Sequence, residues 1–206
     1  MRKYFKYGGI AASVVLIAFG AGSIAIGAWG INNVRDNLGL EKIVGSPDMT
    51  RTAIAAEAQE AGLTGVKLPS CDVAGKTIDT GSEARCFASY MRIHTLEATG
   101  GQPYAEMGRF LDAKGNPTSD EALAAKDPKT GRPIANAKRD IWVTYTALST
   151  ALNQAYFGER VGIFGIVMGI ALLLTGIGFL VLTMGGALEP KPAVAKTAQH
   201  PATARN

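Results

Sequence analysis

Few residues of this chain are placed to do chemistry, and they lie near its middle. Cys71 and Cys86 are the two cysteines. An even count in a segment that reads as translocated predicts a disulfide. It would close a loop of about 16 residues, worth about 3 kcal/mol in the chain-entropy model. No histidine or third cysteine lies between them, so the pair does not read as a metal site. Tyr90, His94 and Glu97 form the other group, a candidate ligand or acid–base pocket. A lone histidine is more often a packing residue, and Phe87, Met91, His94 and Ala98 share one helical face. Ala74-Gly75-Lys76-Thr77 resembles the end of a phosphate-binding loop, but the glycine that loop needs five residues before Gly75 is Ser70. No spacing suggests a metal site, and no cofactor is expected.

What must position these residues is set by two uncharged windows. None of the residues from Tyr7 to Val34 is charged, nor any from Val161 to Leu188. About 20 apolar residues cross a bilayer core, so each window suffices. A backbone in lipid finds no outside partners, so both spans must be helical. Spans are expected over 8–31 and 161–187. The first can also be read as a signal peptide, with Ala25-x-Gly27 as a small-residue site; its length favours retention as a span. Gly162, Gly165, Gly169 and Gly176 invite close helix packing, of the two spans on each other or on a second copy or partner. No ionisable residue lies within either window, which argues against an ion or proton pathway.

Orientation follows from the flanks. Residues 1–7 carry Arg2, Lys3 and Lys6; the last 19 carry Lys191, Lys196 and Arg205 against Glu189. Both flanks are expected in the cytoplasm, with 188–206 a disordered tail. The extracytoplasmic domain is then 32–159. From Arg35 to Arg160 there are 15 basic and 16 acidic residues, a near-neutral balance that excludes a nucleic-acid-binding face. Arg35-Asp36 and Glu159-Arg160 flank the spans and are expected to pair, Arg35 with Glu159 and Asp36 with Arg160, both exposed.

Within the domain, Thr50 can cap a helix from Arg51 to Ala61, and Thr80 or Ser82 a second that ends at Gly100-Gly101. Gln102 to Ala135 is rich in turn residues, with a short helix expected over Ser119–Lys126. Asn136 can cap a stalk helix over 137–160, where Ile141, Tyr145, Leu148 and Leu152 alternate at helical spacing. The stalk is expected to run into the second span, and the first span to continue past Val34. No strand shows clear alternation. The expected fold is all-α: two transmembrane helices extended into an antiparallel stem, with the small disulfide-containing domain folded over its tip.

The strings Tyr4 to Ala12, Cys71 to Lys76, Tyr90 to Gly101 and Trp142 to Asn153 resemble a group of two-span actinobacterial membrane proteins, over nearly the whole chain. Members of that group often carry the label aromatic ring-opening dioxygenase. The resemblance implies the two-span architecture, and the label implies an iron centre. Extradiol enzymes hold iron with two histidines and a carboxylate, and His94 is the single histidine between the spans. Three functions are therefore ranked. First is a structural or protein-interaction role in the cell envelope, such as an accessory subunit of a membrane complex. Its partners would be the lipid bilayer and a membrane protein or second copy on the glycine faces. Second is a membrane-anchored ligand-binding ectodomain. Third is an enzyme.

Overall fold

Both uncharged windows lie in long helices. The computed structural model describes residues 2–186, so the tail expected over 188–206 lies outside the described residues, as does His200. Helix α1 is Arg2–Leu40 and helix α4 is Lys138–Met184. Between them come α2 (Arg51–Glu60), α3 (Gly81–Ala98), a 3-10 turn at Tyr104–Glu106 and two very short strands, β1 (Phe110–Leu111) and β2 (Pro117–Thr118). The described residues form two compact units, one of 2–25 with 166–186 and one of 26–165.

In the first unit α1 and α4 run antiparallel. Gly20 meets Gly169 and Leu173, Leu16 and Ile17 meet Gly176, and Gly9 meets Thr183. A side chain on Gly169 would put its Cβ 2.6 Å from the carbonyl oxygen of Gly20. The contact therefore depends on the missing Cβ. Small or short residues recur every seventh position on the inner faces: Ser13, Gly20 and Gly27 on α1, Gly162, Gly169, Gly176 and Thr183 on α4. A seven-residue repeat keeps one narrow helix face toward a partner. The outer faces are bare and apolar, with Val14, Val15 and Phe19 exposed on α1 and Val167, Ile170, Leu174 and Val181 on α4.

In the second unit the pairing has the same sense. Gly162 lies against Gly27 and Ile31, and Gly158 against Val34. Helix α1 ends at Leu40, after which Glu41 and Lys42 close a turn onto the Leu38 and Gly39 carbonyls, with Lys42 at φ 50°. Beyond that level α4 still needs a partner for Leu148, Leu152 and Ala155, and α3 supplies it. Thr80 caps α3 by accepting from Glu83 N, and Glu83 reaches back to Thr80 N, a capping box. At the first turn Gly81 abuts the α4 backbone at Ala155 and Tyr156, where a Cβ would not fit. The domain thus lies along the flank of α4 and not over a tip. Its core is Ile54, Val73, Ile78, Tyr90 and Ile93, with Val34 and Leu38 of α1 packed onto it. Burial of α3 is centred on Phe87, Tyr90 and Ile93, while Ala98 is exposed, so the expected stripe through Ala98 is rotated.

Two further expectations change. Ser119–Lys126 is no helix; it forms turns and isolated bridges, with Ala125 N donating to Leu111 O and Ile134 N to Ala125 O. These tie β1 and β2, which no alternation announced, into a small lobe. The lobe is fastened to α4 by Asn136, whose Oδ1 caps Lys138 N while its Nδ2 donates to Gly108 O. Arg35 pairs with Glu159 as expected, donating from Nη2 at 2.8 Å, but Glu159 is buried. Arg160 donates instead to Ser82 Oγ, 3.1 Å away, so the Asp36–Arg160 pair does not form.

Candidate functional site

The disulfide is formed. Cys71 and Cys86 are bonded, joining the segment after Pro69 to the first turns of α3. Tyr90, one turn on, is fully buried and donates its hydroxyl to the Cys71 carbonyl oxygen at 2.5 Å. Burial, and then the neighbouring Asp72 carboxylate, push the Tyr90 hydroxyl above its usual range. Tyr90 therefore anchors the cysteine segment and does not open onto His94.

His94 stands elsewhere, between carboxylates from two other segments. Its Nδ1 lies 2.7 Å from Glu57 Oε1 on α2, and its Nε2 lies 3.5 Å from Asp48 Oδ2 in the loop before α2. A hydrogen bond from Ser46 leads the causes that hold Asp48 below the usual carboxylate range. Glu97, one turn along α3, shares a hydrogen bond with Glu57. That bond, then burial, then the Glu57 charge raise its carboxyl above the ordinary value. The structure thus joins His94 with Glu97 through Glu57 and leaves Tyr90 out.

Ligand atoms of Asp48, Glu57 and His94 all lie within 4.8 Å of one another. Nitrogen and oxygen donors of this kind suit a divalent first-row ion or zinc. The two carboxylates face opposite ring nitrogens, however. An ion on either nitrogen would have one carboxylate beside it, with the other orienting the ring. An imidazolium at this position would donate to both. In either state the cluster ties loop, α2 and α3 together. Asp48 and Glu57 were not picked out from the sequence; the available signal was the helix capped by Thr50, which sets Glu57 on a face toward α3.

Of the four glycines singled out, Gly162, Gly169 and Gly176 face α1. Gly165 is half-buried on the same helix, and the other three recur at seven-residue spacing. No family model, curated protein or solved structure matches this chain. The fold itself defines a class. It is a mostly helical protein in which two helices long and apolar enough to cross a membrane bracket a disulfide-closed segment.

Proposed function

We propose that the chain is a two-span integral membrane protein of the cell envelope. Both flanks lie in the cytoplasm, and the segment 32–159 is held outside in a structural or protein-interaction role, such as an accessory subunit of a membrane complex. The observation that carries this reading is the two-faced character of α1 and α4. Their inner faces are filled by the glycine seam. Their outer faces expose large apolar side chains, including Phe19, Phe164 and Leu174. In water each exposed apolar side chain of that size would forfeit about 1.5–3 kcal/mol; in lipid it forfeits nothing. Basic residues at both ends of the sequence and a disulfide between the spans support the orientation.

Because the seam is filled by the chain itself, a partner would meet the outer helix faces or the domain. The chain is expected to stay with membranes through an alkaline carbonate wash, to enter detergent, and to co-purify there with a second membrane polypeptide in fixed ratio. Release by carbonate would end the membrane reading. Recovery as a lone polypeptide in every mild detergent tried would end the accessory role. The ligand-binding alternative gains from a cationic cleft in the domain. The dioxygenase reading needs a second histidine beside His94, and the neighbours found there are carboxylates.

A further inference from the structure

One face of α3 carries Ser82, Arg85, Ser89 and Arg92 at spacings of three, four and three. On an α-helix these form a single stripe about 15 Å long. The stripe is one wall of a cleft of about 440 Å³, which Lys67 and Ser70 border from the segment before the disulfide and Tyr145 and Asn153 from α4. The volume lies within the range of small-ligand sites, about 300–1,000 Å³.

The charges in this cleft have one sign. Lys67, Arg85 and Arg92 line it and no Asp or Glu does. Among the described residues none of the three has a carboxylate partner. The guanidinium of Arg85 rests 4.6 Å from the Tyr156 ring centroid, and that of Arg92 5.7 Å from the Trp142 ring centroid. Aromatic faces orient a guanidinium but leave its charge uncancelled. Arg160 adds a fourth positive charge at the Ser82 end, 4.9 Å from the Tyr156 ring centroid. The Tyr156 hydroxyl is held below its usual range by the Arg85 bond first and by the Arg160 charge as well, as a positive field requires. Ser82 Oγ accepts from Arg160, which leaves its own proton available to donate. Ser89 donates to the Arg85 carbonyl and keeps lone pairs free.

We propose that this cleft binds a phosphate-bearing anion, gripped by Arg85 and Arg92 from α3 and by Lys67 from the opposite wall. Two planar forks and a mobile ammonium suit the several oxygens and double charge of a phosphate better than a single carboxylate. The stripe is long enough for two phosphates or for a phosphate with an extended substituent. Two sources share this chemistry: the headgroup of an anionic lipid and a soluble phosphate compound. The inference deepens the ligand-binding alternative. The cleft's chemistry does not depend on which side of a membrane the domain faces, so failure of the topology would leave it standing.

The test uses the full chain purified in detergent, with its disulfide intact. Inorganic pyrophosphate is titrated calorimetrically. In a parallel arm the protein in nanodiscs of zwitterionic lipid is offered phosphatidylglycerol, and retained lipid is read by native mass spectrometry. The variants are Lys67→Gln alone, which removes an exposed charge from a loop, and Arg85→Gln with Arg92→Gln. The control, Lys129→Gln with Arg132→Gln, removes two charges from the exposed turn far along the chain. Binding of either probe that weakens about 10-fold or more in the double variant, several-fold in Lys67→Gln and not in the control supports the proposal, and the arm that responds identifies the source. No binding of either probe by the unaltered chain, or an equal loss in the control, overturns it. Should the double variant fail to fold, Lys67→Gln decides alone.

Discussion

Glu159 carries a carboxylate into a buried place at the end of the domain, and Arg35 answers it through Nε and Nη2. The pair was legible from adjacency to the spans, but its burial was not, because that depends on Gly81 closing over it. Its energy differs accordingly from that of an exposed pair. Replacing Arg35 by Gln is expected to cost about 1–3 kcal/mol in denaturant unfolding, since an acceptor is left short of a donor. A change under half a kcal/mol would show that water reaches Glu159. Glu97 gives a prediction with a sign. Its carboxyl is raised in the fold, chiefly by the bond shared with Glu57. The stability it lends is thus present at acid pH and lost as pH rises through its raised value. Glu97→Gln keeps a hydrogen bond and removes the charge. The variant should melt higher than the parent at neutral pH, with the gap closing toward acid. A gap independent of pH would refute the account. The cysteines are simpler. Unfolded, unreduced protein should show no free thiol, and removing the bond should cost about 3 kcal/mol for a sequence separation of 15.

Helices proved legible at the scale of elements because their signals are local. Thr50, Thr80 and Asn136 cap where their side chains can accept, and uncharged windows of 28 residues leave little choice but helix. The lobe between Met107 and Asn136 was not legible. Its strands are two residues long, too short for alternation to exist, and its pairings, such as Phe110 with Ala135, join positions that only the folded turn brings together. The candidate site failed for the same reason, since Glu57 reaches His94 across 37 residues and no spacing rule connects them. Within the spans, Gly165-x-x-x-Gly169 drew attention by its motif; the seven-residue recurrence of Gly162, Gly169 and Gly176 against α1 did not, because no short motif announces it. Gly169→Ala must push on the Gly20 carbonyl and should destabilise the helix pair by about 1–3 kcal/mol in detergent. Gly178 has nothing within 4 Å of an added Cβ, so Gly178→Ala should be neutral or slightly stabilising. Equal effects at the two positions would mean the seam is not what holds α1 to α4.

Both pairs of contacts, Gly20 with Gly169 in one unit and Gly27 with Gly162 in the other, arise from one sequence device on two long helices. The central claim is that these helices cross a membrane and hold the disulfide-closed segment outside, with both flanks inside. Ser119 sits in an exposed turn of the small lobe, and Thr197 belongs to the C-terminal flank. The native cysteines are bonded to each other, so an introduced cysteine is a lone reporter. The direct measurement is labelling of intact cells with a membrane-impermeant maleimide. Ser119→Cys should label fully before lysis, and Thr197→Cys should label only after it. Labelling of Thr197→Cys on intact cells, with Ser119→Cys protected, would contradict the orientation.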